Sequence, residues 1–485
     1  MTSIDDRPRS ATTRTLRSVR VVLIVLAAGA TGLRAQTPLG RPDDARTGPP
    51  GTSDVRTGPV GSPAVSGPLG RPALPTGILL GVPSAAPAPL RAAALSRAAS
   101  PLRFRGGGEV APENAGFDPN RFARVDSVIR HALSEGASPG AALVVGRHGQ
   151  LVRLRGYGRT DWDPRAPEVT DSTLYDLASL TKAMGTATVA TQMASEGRLL
   201  LDAPIHRYLH DWPSRGDHGR ITVRHLLAHT SGLPAGKDLW PGARSRREII
   251  ASLAELKVWS RPGTRREYSD VGMILLGAVL EEVSGSRLDD LLSVRVFRPL
   301  ELRDTRFNPL TAHGEYGGFT LAQIAPTEYD TYVRNTLVHG VVHDLNAWAM
   351  EGVAGHAGLF SSARDMAVYG QAILDAAHGR DNALFQKGTF LSWLQQEREL
   401  GRPLGWDVPN GQRSSAGLYF TRSSFGHTGF TGTSLWVDPE RDVFVVLLTN
   451  RLNPSARNQR HVQLRRDVHD FVQLAIADMS IEARE

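Results

Sequence analysis

The spacing of apolar residues predicts an amphipathic helix where the folded part of the chain begins. Asp118 stands directly before the apolar series, where its carboxylate can cap the first turn, and the helix is expected to run to about Glu135. The apolar positions recur at intervals of three and four residues: Phe122, Val125, Ile129 and Ala132. The same pattern predicts a closing amphipathic helix over residues 459–477.

Short apolar runs predict strands at both ends of this region. Residues 141–146 and 151–156 flank a His-Gly pair and are typical of a β-hairpin. Residues 425–437 are small and β-prone, and the apolar strand 443–448 follows after a turn. Helical patterns occupy four stretches between the two ends: the residues from Ser179 to Met193, and 221–234, 247–257 and 271–283. One sheet is therefore built from distant segments, which makes the fold class α/β (α+β).

The first 35 residues have the pattern of an export signal. Residues 1–20 carry five arginines and two aspartates, and the apolar run Val21–Leu33 follows. A basic start with a short apolar core predicts a secretory signal peptide over residues 1–35, with an uncleaved membrane anchor as the alternative. The expected location is therefore outside the cytoplasm, periplasmic or secreted.

Residues 36–115 form a low-complexity stretch. It holds 14 of the 31 prolines together with many Gly, Ala and Arg residues, so it offers too little apolar surface to offset the entropy of ordering. We expect a disordered linker here and a catalytic domain over residues 116–480. The formal net charge of +7 resides in the leader and the linker, because the rest of the chain has 42 basic and 42 acidic groups. A neutral domain gives no reason to expect nucleic acid as a partner.

A Ser-x-x-Lys pattern carries the first candidate chemistry. Ser179 and Lys182 are three residues apart, so on a helix the amine and the hydroxyl share a face. The chain has only four lysines among 56 basic residues, and no other lysine has a serine three residues before it. Arginine cannot give up its proton in a protein, whereas a buried lysine can act as a base. The sequence has no cysteine, which excludes thiol catalysis.

Two further motifs supply polar groups that suit catalysis. Tyr268, in Glu267-Tyr-Ser-Asp270, could relay protons if a nearby cation lowers its pKa, and Ser269 and Asp270 are also good helix caps. His427-Thr428-Gly429 lies on an expected strand whose edge could bind a substrate. A Gly-x-Ser-x-Gly match around Ser138 lies between a helix and a strand, the wrong order for a nucleophile elbow.

Several histidines invite comparison with metal sites. They are His225 and His229, one helical turn apart, and His339, His343 and His356 in a loop-rich stretch. The first pair has no obvious third ligand, and the spacing of the others is irregular. We therefore expect structural roles for them, no metal and no cofactor.

Together these motifs resemble the serine β-lactamase and penicillin-binding-protein family. The resemblance covers about 116–480 and is closest to the branch with class C β-lactamases, D-alanyl-D-alanine carboxypeptidases and family VIII esterases. It implies an antiparallel sheet flanked by helices with an all-helical subdomain. It also implies that Ser179 is the nucleophile, that Lys182 helps to deprotonate it, and that Tyr268 shuttles protons. The N–H groups of Ser179 and Phe430 would form the oxyanion hole, and Thr428 and Gly429 would line the acyl group.

Two departures from the family pattern bear on the substrate. Asp270 stands where Asn is usual, and His427 stands where many β-lactamases have lysine. Both changes favour an ester, or a D-amino-acid amide or peptide, over a β-lactam. A β-lactamase or penicillin-binding carboxypeptidase remains the alternative, and an inactive envelope-binding module is the alternative of another class. The complete set Ser179, Lys182 and Tyr268 favours an enzyme.

Overall fold

The core of the protein is a five-stranded antiparallel sheet assembled from both ends of the domain. The computed structural model describes residues 104–105, 107–242, 245–312, 317–396 and 402–484. The strand order of the main sheet is β2-β1-β10-β9-β8. Its strands are β1 (Gly140–Arg147), β2 (Gln150–Gly158), β8 (Phe425–Thr428), β9 (Ser434–Asp438) and β10 (Val443–Thr449). Short strands elsewhere are β3 (Tyr175–Asp176), β4 (Arg306–Phe307), β5 (Tyr329–Asp330), β6 (Thr336–Leu337) and β7 (Leu359–Ser361).

The predicted N-terminal hairpin is confirmed, and its first strand lies inside the sheet. β1 pairs with β2 on one side and with β10 on the other, so that Val145 opposes Val445. All residues of β1 and β10 are buried, as expected for central strands covered on both faces. The hairpin of β9 and β10 is also confirmed. The stretch 425–437, however, is not one strand, because a loop after Thr428 reverses the chain into β9.

Helices cover both faces of the sheet. The α-helices are α1 (Pro119–Ser134), α2 (Thr188–Ser195), α3 (Val223–Leu227), α4 (Arg246–Ser252), α5 (Asp270–Ser284), α6 (Leu288–Leu292), α7 (Leu345–Ala349), α8 (Ala363–Ala377), α9 (Thr389–Gln395) and α10 (His461–Leu474). Leu143 and Val145 of β1 pack in the core beneath α1 and α10. Ala142 and Val144 belong to the core that contains α2, α5 and α8. Alternate residues of one strand therefore join two hydrophobic layers.

The predicted helices are largely confirmed, with two differences. Asp118 caps α1 by accepting hydrogen bonds from the backbone N–H groups of Asn120 and Arg121. The helix expected over 221–234 is only the short α3, and the following residues form the loop that faces Tyr268. The stretch after Ser179 does not start as a regular α-helix but contains a π-helical turn, Lys182–Ala187, before α2.

Between β3 and β4 the described residues form helices and loops without a strand, in line with the expected helical part of the fold. None of the helices in the described part of the chain is long and apolar enough to cross a membrane. The predicted signal or anchor over residues 1–35 and most of the predicted linker, residues 36–103, lie outside the described residues. Contacts with the domain are described from Phe104 onwards, where Arg105 and Val110 bond to the backbone of Gly149 and Leu151. Ordered chain therefore precedes residue 116, the expected start of the domain.

Candidate active site

Ser179 lies in a tight turn between β3 and the π-helical turn. The residue before it, Ala178, has a φ of 46°, in the left-handed region that side chains other than glycine rarely adopt. The buried carboxylate of Asp176 stabilises this conformation, because its Oδ1 accepts a hydrogen bond from the Ala178 N–H at 2.8 Å. The other oxygen of Asp176 accepts from the N–H of His343 at 2.7 Å. One carboxylate therefore bonds both to the serine turn and to His343, a residue that lines the cavity beside Ser179.

Lys182 lies beside Ser179, as the Ser-x-x-Lys spacing predicts. Its Nζ donates to Ser179 Oγ at 2.8 Å and to the carbonyl of His356 at 3.0 Å, and it lies 2.7 Å from Asp270 Oδ1. The lysine side chain is only 1% exposed. Burial by itself lowers the pKa of Lys182, but interactions with Tyr268 and Asp270 outweigh it, so the net direction is upward. The neutral amine is therefore favoured at alkaline pH.

Tyr268 faces the same two residues. Its ring centroid is 5.0 Å from Lys182 Nζ and 6.0 Å from the ring of His427. Burial raises the pKa of Tyr268, and the opposing effects of the Lys182 charge and of hydrogen bonds with Lys182 and Ser179 do not reverse that rise. The Lys182 charge lowers the pKa of Tyr268, as a nearby cation should, but the net shift is upward because burial has the larger effect. At neutral pH the phenol keeps its proton and can donate it.

His427 is buried and neutral at physiological pH. Burial lowers its pKa, and the nearby Asp407 carboxylate does not compensate. Because the Thr428 carbonyl can only accept, His427 Nδ1 carries the hydrogen in their 2.9 Å contact. The nearby Arg402 is ion-paired with Asp407. The position where many β-lactamases have lysine therefore has no charge of its own.

Gly429 brings the end of β8 against the serine turn. A Cβ at this position would lie 2.1 Å from Thr433 Oγ1 and 2.4 Å from the carbonyl oxygen of Leu177, so no other residue fits. Two threonines of the same loop hold the turn from this side. Thr431 Oγ1 donates to the Asp176 carbonyl at 2.6 Å, and Thr433 Oγ1 donates to the Leu177 carbonyl at 3.0 Å.

Two backbone N–H groups at this junction have no acceptor in the part of the chain that the structure describes. Within the described residues, neither the N–H of Ser179 nor that of Phe430 makes a hydrogen bond, although the adjacent Gly429 N–H bonds to the Thr433 carbonyl. Both residues line the same cavity. Unpartnered N–H groups on either side of a nucleophile suit the binding of a developing oxyanion.

The cavity beside Ser179 has a volume of about 470 Å³, enough for a small acyl or peptidyl group. Its wall is rich in charged and aromatic side chains. Besides Ser179, Tyr268, Asp270 and Phe430, those side chains are Asp238, Trp240, Glu328, Asp330, Tyr332, Arg334, His343, Asp344 and His356. Thr428, at the end of β8, does not line it.

The remaining histidines and Ser138 bond to protein groups. His225 caps α3, His339 contacts the carbonyls of Leu321 and Ile324, and Ser138 donates to the Gly140 carbonyl. His343 pairs with Glu328 at 2.9 Å, and His356 pairs with Asp344 at 2.8 Å. Across the described ranges, no group of three or more His, Asp or Glu side chains is arranged to hold a metal ion.

Comparison with known proteins identifies the family. The family model described as Beta-lactamase matches residues 125–470. The chain belongs to the β-lactamase family. A putative D-alanyl-D-alanine carboxypeptidase of Escherichia coli strain K12 is 33% identical over 379 residues, which span 71% of this chain and 85% of the relative. An N-acetylmuramyl-L-alanine amidase of Bacillus subtilis is 32% identical over 372 residues, spanning 70% and 83%.

Solved structures agree on the fold. EstCE1, a hydrolase with promiscuous acyltransferase activity, matches with a TM-score of 0.58 and 23% identity, over 73% of this chain and 99% of EstCE1. An octameric penicillin-binding protein homologue from Pyrococcus abyssi matches with a TM-score of 0.52 and 22% identity, over 70% and 76%. The β-lactamase-like fold predicted from the motifs is confirmed, and the protein is a serine hydrolase of this family.

Sequence reasoning missed the residues that hold this β-lactamase-family site in place. Asp176 lies inside the motif around Ser179 but was not singled out. A structural role was expected for His356, but its contact with Lys182 is made by the backbone carbonyl, which has no sequence signature. Thr431 and Thr433 lie in a Gly/Thr-rich run, and that run is the one signal that could have drawn attention to them.

Proposed function

We propose that this protein hydrolyses esters, or D-amino-acid amides and peptides, through an acyl-enzyme on Ser179. The observation that carries the proposal is the 2.8 Å contact between Lys182 Nζ and Ser179 Oγ, with Tyr268 beside both. In this contact the neutral amine can take the serine proton as the hydroxyl oxygen attacks a carbonyl carbon.

The proposed acylation step assigns a role to Ser179, Lys182, Tyr268 and the two backbone N–H groups. Ser179 Oγ bonds to the carbonyl carbon while its proton moves to Lys182. The N–H groups of Ser179 and Phe430 bind the oxyanion. When the tetrahedral intermediate collapses, Tyr268 gives its proton to the leaving group and receives one from Lys182. The net result is transfer of the serine proton to the leaving alcohol or amine.

The proposed deacylation runs the same relay in reverse. A water molecule attacks the acyl carbon while Tyr268 passes its own proton to the neutral Lys182 and takes the proton of the water in exchange. When this second tetrahedral intermediate collapses, the bond between the acyl carbon and Ser179 Oγ breaks, and Lys182 returns a proton to the Ser179 oxygen. Asp270 stabilises Lys182 whenever the lysine holds the extra proton, because its carboxylate lies 2.7 Å from Nζ.

The choice of substrate rests on the charge around His427. A β-lactam carries a carboxylate that a lysine at this position would bind, whereas buried His427 is neutral. Asp270 lines the same cavity and pairs with Lys182, so the charge of that lysine is not free to bind a carboxylate. An ester without a carboxylate is indifferent to both effects. The names of the relatives, a D-alanyl-D-alanine carboxypeptidase and an N-acetylmuramyl-L-alanine amidase, support cell-wall peptides as the natural substrate class and an exported location.

A serine-reactive phosphonate tests the nucleophile. We expect one label per chain, mapped to Ser179 by peptide mass spectrometry, and no label in Ser179→Ala. Ser138→Ala is the matched control, because Ser138 is buried and bonded to the Gly140 carbonyl, and it should label as wild type does. A label on Ser138, or none at all, would overturn the proposal. Turnover of an ester, a D-Ala-D-Ala peptide and a β-lactam under the same conditions would then rank the substrates.

A further inference from the structure

His229 contacts Tyr268 and both of its neighbours in the chain. The carbonyl of His229 accepts a hydrogen bond from the Glu267 N–H at 2.8 Å. Its Nδ1 accepts from the Ser269 N–H at 3.1 Å. The imidazole centroid lies 4.7 Å from the ring centroid of Tyr268. A single residue therefore restrains the backbone on both sides of the tyrosine and one face of its ring.

The histidine is held as an acceptor. It is 4% exposed, and Nδ1 can accept from an N–H group only when it carries no hydrogen, so the remaining ring proton is on Nε2. Burial lowers the pKa of His229 well below its ordinary value, and nearby Lys182, Arg402, His427 and Arg266 lower it further. The imidazole is therefore neutral, and it does not itself exchange protons in the working pH range.

The backbone of His229 is adapted to this position. It follows α3 with a φ of 57°, a left-handed conformation at a helix end that glycine and asparagine adopt with less strain. The chain after it continues the contact, because Ser269 Oγ donates to the Pro234 carbonyl and the Asp270 N–H donates to the Ala235 carbonyl, both at 2.7 Å. The loop from His229 to Ala235 thus fixes where the Tyr268 turn lies.

We propose that His229 is a positioning residue that sets the Tyr268 hydroxyl towards Ser179 and Lys182, through the hydrogen bond from the Ser269 N–H to its Nδ1. The inference rests on the proposed proton transfer by Tyr268. Loss of this hydrogen bond lets the turn shift, and the phenol then protonates the leaving group less well. Acylation by an ester whose leaving group needs no proton is spared, and deacylation, which also uses Tyr268, is common to all esters of one acid.

Two esters of the same acid separate these effects. Methyl butyrate needs a proton on its leaving group, whereas p-nitrophenyl butyrate releases a stable anion without one. The ratio of their kcat/KM values, methyl over p-nitrophenyl, therefore reports leaving-group protonation. Both values come from one preparation, so the ratio does not depend on how much of a variant is folded.

Two variants of His229 tolerate the left-handed backbone, and they differ in whether they offer an acceptor to the Ser269 N–H. His229→Gly removes the acceptor, and His229→Asn replaces it with Oδ1. We expect the ratio to fall at least about tenfold in His229→Gly, which is a part of what general-acid catalysis contributes. In His229→Asn it should stay within about threefold of wild type. His225→Ala is the matched control, because His225 Nδ1 also accepts from a backbone N–H, that of Thr222, at 3.2 Å. It should lose stability but keep the ratio.

The outcome for Tyr268→Phe separates this inference from the proposed function. That variant should lower the ratio at least as much as His229→Gly does. If Tyr268→Phe leaves the ratio unchanged, the proposed role of the tyrosine is wrong. If Tyr268→Phe lowers the ratio and His229→Gly does not, the positioning role alone is overturned. An Asn variant as impaired as the Gly variant would likewise refute the hydrogen bond as the cause.

Discussion

Replacing Lys182 by arginine removes the ability to accept a proton while keeping the positive charge. The guanidinium stays charged in a protein, so it can still pair with Asp270 but cannot take the proton of Ser179. Retaining the charge matters, because removing one member of a buried ion pair leaves the other uncompensated. Lys182→Arg is therefore a more specific change than Lys182→Ala.

The expected loss follows from the contacts of Nζ. Lysine donates to Ser179 and to the His356 carbonyl and pairs with Asp270, and arginine can keep the pairing in part. General-base catalysis contributes about a hundredfold to ten-thousandfold. We take the low end, because some electrostatic support remains, and expect kcat/KM to fall at least about a hundredfold, or about 2.7 kcal/mol of transition-state stabilisation.

The assay is hydrolysis of p-nitrophenyl butyrate across a range of pH, with thermal unfolding to check the fold. In wild type, activity should rise towards alkaline pH, because the pKa of Lys182 is raised and the neutral base forms above it. Lys182→Arg should lose that limb of the profile. Lys387→Arg, at an exposed lysine, is the control and should behave as wild type. Activity of Lys182→Arg within about tenfold of wild type, with the same profile, would show that Lys182 gives only electrostatic support.

Two further predictions concern the site, and a third concerns where the domain begins. Asp270→Asn should move the acidic limb of the kcat/KM profile to lower pH, because the carboxylate next to Lys182 raises the lysine pKa; an unchanged limb would mean that another group titrates. At pH 7, kcat/KM for p-nitrophenyl butyrate should exceed that for nitrocefin; a tenfold preference for nitrocefin, about 1.4 kcal/mol, would contradict the argument from neutral His427 and point to Arg266 and Arg402 as carboxylate ligands. Removing residues 1–103 should leave an active, soluble domain, since contacts are described from Phe104 onwards; loss of turnover would show that the leader or linker contributes to the domain.

Local patterns predicted the parts of the fold that depend on nearby residues. The hairpin of β1 and β2 follows from two apolar runs around a turn, and α1 follows from its cap and its apolar period. The division of 425–437 into two strands was not predicted. It depends on the loop after Gly429 fitting against Leu177, a contact between segments far apart in the chain.

In the candidate site, too, features set by nearby residues were predictable and features set by distant contacts were not. Ser179 and Lys182 share a face because they are three residues apart, so their contact was predictable. The π-helical turn was not predictable. Thr188 Oγ1 donates to the Ala183 carbonyl and Thr186 Oγ1 donates to the Gly355 carbonyl. The second contact joins segments that are far apart in the sequence. The sequence made proton relay by Tyr268 depend on a cation that lowers its pKa. Lys182 does act in that direction, but burial, which the sequence does not report, has the larger effect and the pKa is raised.

The pairing of β1 with β10 has a consequence for biosynthesis. Val145 is made early and its partner Val445 is made near the end, so the middle of the sheet cannot form until almost the whole domain has left the ribosome. Pairing over such a distance in sequence also slows folding, because a very long loop must close first.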